Sequence, residues 1–122
     1  MGNINNMAGI GFEVEAAKSI VGTIEAAATA AGSTAANAYA LKADATLFTT
    51  VGSGTGAKLP ATAPVGSELR VYNGGANALL VYPPTSGQIN NQTATTGTVS
   101  IAAGKGALFA RLTNIHWGCV RD

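Results

Sequence analysis

The sequence predicts a mainly β protein: an antiparallel β-sandwich or jelly-roll-like barrel with an extended N-terminal arm and a short N-terminal helix. Three observations lead there. Beyond residue 34 the chain breaks into short apolar runs bounded by Gly, Pro and Asn clusters, the pattern of many short strands. Those runs are rich in the β-branched and aromatic residues that suit a pleated sheet. No stretch after residue 34 keeps the three-and-four spacing of a helix for more than a turn.

The elements follow in order. Residues 1–12, MGNINNMAGIGF, are rich in Asn and Gly, with Ile4, Met7, Ile10 and Phe12 spaced among them. They are too sparse to build a core and read as an arm, with those four side chains as its candidate contacts to a partner. In EVEAAKSIVGTIEAAATAA, residues 13–31, Val14, Ala17, Ile20 or Val21, and Ile24 recur at spacings of three and four, which predicts an amphipathic helix. Glu13 and Glu15 would sit at its positive end. Gly22 and Thr23 interrupt the pattern, and IVGTI serves equally well as a strand. Gly32-Ser33 ends the element. The division is therefore 1–33, an arm and helix for attachment or trimerisation, and 34–122, a sandwich domain.

STAANAYALKAD and ATLFTTV read as the first strands of that domain. GSGTGAKLPATAPVG is punctuation, with glycines and prolines that favour a flexible loop. ELRVY, ALLVY, GTVSIAA, GALFARL and IHWGCV are further strands. ELRVYNGGANALLVYPP reads as a hairpin, with Asn73-Gly74-Gly75 supplying the positive backbone angles of a tight turn. Leu69 and Val71 point to one side of its first strand, Arg70 and Tyr72 to the other. Its second strand, with Leu79 and Val81 alternating with Leu80 and Tyr82, is apolar on both faces. Leu80 and Tyr82 are thus candidates for a subunit interface. Pro83-Pro84 ends the pairing.

Composition narrows the function. At 122 residues the chain is the size of one domain. Only 11% of residues are charged and the formal net charge is +1, so no field is available to hold a polyanion, and nucleic acid is not an expected partner. No run approaches the roughly 18 apolar residues of a membrane-spanning helix, and no membrane association is expected. The start has no basic flank followed by an apolar stretch, so secretory export is not expected. Asn6 stands where a myristoylation motif needs Ser or Thr. A single cysteine, Cys119, allows no internal disulfide.

Candidate chemistry is sparse. GSGTGAK, residues 52–58, lacks the Gly-Lys-Ser/Thr ending of a triphosphate loop, because Ala57 separates Gly56 from Lys58. It meets the looser dinucleotide pattern, but Pro60 and Pro64 forbid the helix that pattern requires. His116 and Cys119 are too few for a metal site, and on a strand residues three apart point to opposite faces, which rules out a nucleophilic pair. His116 is expected partly exposed and Cys119 buried as a small hydrophobe. Glu13, Glu15, Glu25, Asp44, Glu68 and Asp122 read as solvated carboxylates with no pocket to raise a pKa. Tyr39, Tyr72, Tyr82 and Trp117 could form a platform for a sugar, or fill a core or interface. No catalytic residue, cofactor site or metal site is expected, and the chain does not read as an enzyme.

From about residue 46 to 122 the order of pieces resembles small structural proteins of tailed phages, the capsid decoration (cement) and head-fibre proteins, with comparable modules in tail fibres. The shared pattern is a glycine-rich loop ending in Leu59-Pro60, then Val71-Tyr72-Asn73 and Gly75, Leu80-Val81-Tyr82-Pro83, Gly87 with Ile89-Asn90, Ala103-Gly104-Lys105, Phe109 and Trp117. The resemblance covers roughly the last two-thirds of the chain. It implies a β-rich domain, a homotrimer, made in the host cytoplasm and bound to the major capsid protein on the outer surface of the virion. Ile4, Met7, Ile10 and Phe12 would then face the capsid. The alternative is a receptor-binding or tail-fibre module that holds a host glycan on exposed aromatics.

Overall fold

The computed structural model describes residues 23–121. Among them are ten strands and no helix: β1 (Ile24–Thr29), β2 (Tyr39–Ala40), β3 (Ala45–Thr50), β4 (Gly56–Lys58), β5 (Glu68–Asn73), β6 (Leu79–Tyr82), β7 (Gln88–Ile89), β8 (Val99–Ile101), β9 (Gly106–Arg111) and β10 (His116–Arg121). They form a six-stranded sheet, in the order β1-β3-β5-β9-β10-β7, and a four-stranded sheet, β2-β4-β6-β8.

Up to β9 the chain places successive strands in alternate sheets. A strand that returns after visiting the other sheet comes back in its original direction, so its neighbour is parallel. The first three turns obey this: β1 pairs parallel with β3 and β3 with β5, while β2 pairs parallel with β4 and β4 with β6. Ile24, Ala45 and Arg70 fall in register in one sheet, and Tyr39, Ala57 and Val81 in the other. The result is a flattened, solenoid-like coil. The last third reverses direction: β8 runs antiparallel to β6, β9 antiparallel to β5, and β10 antiparallel to β9, with β7 parallel to β10 at the far edge. The sheets are therefore mixed, which corrects the expected antiparallel sandwich or jelly roll.

Four local expectations change with it. Residues 24–29 form an edge strand, not the end of a helix, because the parallel ladder to β3 supplies their backbone partners; residues 13–22 of the expected helix lie outside the described residues. Most of STAANAYALKAD is turn, with only Tyr39–Ala40 in a strand. The expected loop GSGTGAK contains β4. Gly56 is needed there for close approach, since a Cβ would collide with the Leu80 carbonyl oxygen and lie 2.9 Å from Tyr82 Cε1.

The fourth change concerns residues 68–84. β5 and β6 lie in different sheets, so the segment is a corner and not a hairpin. Neither Gly74 nor Gly75 takes a positive φ. Gly75 is required instead by proximity, because a Cβ would stand 2.7 Å from the Val51 nitrogen. Asn73, fully buried, holds the corner: its Nδ2 donates to the carbonyls of Asn77 (2.8 Å) and Ile101 (2.9 Å), and its Oδ1 accepts from the Gly75 N–H (3.0 Å). Asn77 Nδ2 donates to the Val51 carbonyl at 2.9 Å, tying the corner to the end of β3.

One apolar cluster fills the space between the sheets. Phe48, Val71, Phe109 and Trp117 from the six-stranded sheet join Leu79, Val81, Val99 and Ile101 from the four-stranded one, all buried. Burial of each large side chain is worth about 1.5–3 kcal/mol, so this cluster supplies the main force holding the layers together.

Candidate functional site

The alternation of β5 defines two faces. Leu69, Val71 and Asn73 point into the core, while Glu68, Arg70 and Tyr72 are exposed. Strand register carries the exposed set across the sheet. Ile24, Ala45, Arg70, Leu108 and Val120 form one row across five strands, and Leu47, Tyr72 and Gly106 lie in the next. Ile24 is 66% exposed, Tyr72 48% and Val120 74%. The two rows line a shallow concavity of about 460 Å³ on the outside of the molecule. The Tyr72 ring packs over Gly106, where a Cβ would stand 3.3 Å from Tyr72 Cδ1, and the Tyr72 hydroxyl donates to the Gly104 carbonyl at 3.2 Å, fixing the ring there. The lining is mostly apolar, with Thr46, Arg70, Arg121 and the Tyr72 hydroxyl as its polar groups, and Glu68 projects from the same side of β5.

A smaller hollow of about 310 Å³ lies between Leu41, Lys42, Asp44, Pro60, Pro64 and Leu69. Its carboxylate is already engaged: Asp44 Oδ2 accepts from the Thr23 N–H at 3.0 Å, and the Asp44 N–H donates to Thr23 Oγ1 at 3.0 Å. This reciprocal pair anchors the start of β1.

The residues singled out in the sequence are not brought to one place. Ile4, Met7, Ile10 and Phe12 lie outside the described residues, as do Glu13, Glu15 and Asp122. Leu80 is half-buried in the four-stranded sheet. Tyr82 is 6% exposed, covered by this chain itself, and its hydroxyl donates to the Ser33 carbonyl at 3.1 Å. The second face of β6 is thus covered from within the chain at Tyr82. Trp117 is wholly buried and Tyr39 is half-buried with its ring edge-on to Phe48, so of the four only Tyr72 is exposed and they form no aromatic platform.

His116 and Cys119 are both half-buried on opposite faces of β10, Cys119 packed against the core. Burial pushes the Cys119 thiol up in pKa, partly offset by the nearby Arg121 guanidinium. Cys119 is therefore less buried than its hydrophobe role predicts. Glu25 departs further from expectation. Its Oε1 is buried, facing the Tyr39 hydroxyl at the first turn of the coil, and the pair falls short of a well-formed hydrogen bond. The phenol is nonetheless pushed up to about 12, first by Glu25 as acceptor for its proton, then by burial and by repulsion from the carboxylate charge. Thr46, in register with Glu25, adds a third buried oxygen without a partner. Among the described residues no group of three or more His, Cys, Asp or Glu side chains is placed to hold a metal ion, and no helix is long and apolar enough to cross a membrane.

The outer face was the feature the sequence reading missed. Its signal was present in ATLFTT and GALFAR, where Leu47 and Leu108 sit beside the inward Phe48 and Phe109 and make both faces of β3 and β9 apolar. No family model matches the chain, and neither a curated protein nor a solved structure matches it.

Proposed function

We propose that this chain is a virion structural protein, a capsid decoration protein that binds the outer surface of a tailed-phage head as a homotrimer and stabilises it. The order of turns and strands from about 46 to 122 supports the family reading, and the observation that carries a binding role is the exposed apolar face running across five strands. A decoration protein needs no chemistry. By binding only the assembled shell and bridging its subunits, it raises the cost of their separation by mass action. Three linked subunits would turn three weak arms, each with Ile4, Met7, Ile10 and Phe12, into one strong attachment.

The test is a chain lacking residues 1–12, incubated with undecorated heads and pelleted with them. The expected result is loss of head binding with the oligomer retained. Undiminished binding would remove the arm from the mechanism. Quantifying the protein in purified virions tests the class itself, with hundreds of copies on the head expected and a few copies at the tail favouring the fibre reading.

A further inference from the structure

We propose that the outer face of the six-stranded sheet is where copies of this chain hold one another, through a reciprocal Glu68–Arg70 pair set beside Ile24, Leu47, Leu108 and Val120. The inference deepens the self-association in the proposed function, and rests on that part of it alone. Glu68 and Arg70 are two residues apart in β5 and therefore project from the same side of the sheet. Both are exposed, and among the described residues neither has an ion-pair partner. Arg70 stands in the row between Ala45 and Leu108, so any surface that covers the apolar residues also covers its guanidinium.

Covering an unpaired charge is costly, and the covering surface must therefore bring a carboxylate. A second copy brings it. With two outer faces opposed, Arg70 of one meets Glu68 of the other and the reverse, which is the self-complementarity that a symmetric interface requires. In a ring of three the contact is instead head-to-tail, with Arg70 of each copy meeting Glu68 of the next and the third closing on the first. Shape agrees with charge: Ile24 and Val120 stand proud on either side of the concavity of about 460 Å³, which has room for a marginal side chain of the next copy. The Leu80–Tyr82 strand offers no equivalent, because Tyr82 is already covered by its own chain.

The experiment measures the mass of the full chain by sedimentation across a concentration series. The wild-type chain is expected to be a closed oligomer. Val120→Asp and Arg70→Glu, both at exposed positions, are expected to weaken association about a hundredfold or more while leaving the far-UV circular dichroism unchanged. The double variant Glu68→Arg/Arg70→Glu, which exchanges the charges, is expected to restore the wild-type mass. A full chain that is monomeric throughout overturns the proposal. So does a monomer that associates only when residues 1–22 are removed, since the face would then be covered by the chain's own segment. An oligomer indifferent to all three variants overturns this face while leaving self-association standing. Head binding is not part of the readout, so failure of the decoration reading leaves the inference to be judged on its own result.

Discussion

Asn73 sits where the chain leaves one sheet for the other, and its amide answers three backbone groups at once. Asn73→Ala would strand two carbonyls and one N–H in a buried corner, and the expected loss is about 2–3 kcal/mol, read as a lower urea midpoint. Asn73→Asp should be worse, because an acceptor replaces the donor that both carbonyls need. Tyr39 makes the second prediction. Its folded pKa of about 12 lies above the ordinary phenol value, so the folded state holds this proton more tightly than the unfolded chain does. The contribution is complete below about pH 10 and lost as pH rises through the folded value. The denaturation midpoint should therefore fall between pH 10 and 12, and Tyr39→Phe should flatten that slope; an unchanged slope in the variant would remove Tyr39 as its cause. At this scale the sequence was legible where burial follows simple alternation, as for Leu69 and Val71. It was not legible where one oxygen of a carboxylate is buried by neighbours distant in sequence, as for Glu25 beside Thr46 and Tyr39.

Strands were read more reliably than their partners. ATLFTT, ELRVYN, LLVY, VSI, GALFAR and HWGCVR all form strands, because each is short, apolar and bounded by turn residues. The pairing of ELRVY with ALLVY failed for a physical reason that the two runs themselves carry. β5 has the strict alternation of a half-exposed sheet, whereas β6 is buried at three of four positions, so the two belong to different environments. NGGAN marked a change of direction without saying which sheet came next. The same scale has its own test in Arg111. Its guanidinium donates to the carbonyls of Ala61 (2.9 Å), Ala63 (2.5 Å) and Asn114 (2.6 Å), clamping the loop before β5 to the β9–β10 hairpin, and it lies 5.9 Å from the Trp117 ring. Arg111→Lys keeps the charge but loses the planar fork. Faster proteolysis between residues 60 and 66, with little change in the β spectrum, is the expected outcome.

Across the whole molecule, parallel neighbours are joined only after an excursion through the other sheet, as between Ile24 and Ala45 or Ala45 and Arg70. Each such pairing closes a long loop before any contact repays it, so refolding should take milliseconds to seconds, slower than a helical protein of this length. Stopped-flow tryptophan fluorescence would read it through Trp117, and microsecond refolding would contradict the topology. The composition made a mainly β chain legible, but nothing local distinguishes a coil of two-strand turns from a stack of hairpins. The reversal at the end of that coil has a further meaning. A coil built only of parallel turns could be continued by the next molecule, and the next, into an endless filament. Here the far edges of the two sheets are β7, two residues long, and β8, three, and β8 runs against its neighbour. Short edges give an incoming strand little to add to. The chain thus carries its own stopper at one end, and assemblies made from it should be counted in whole small numbers.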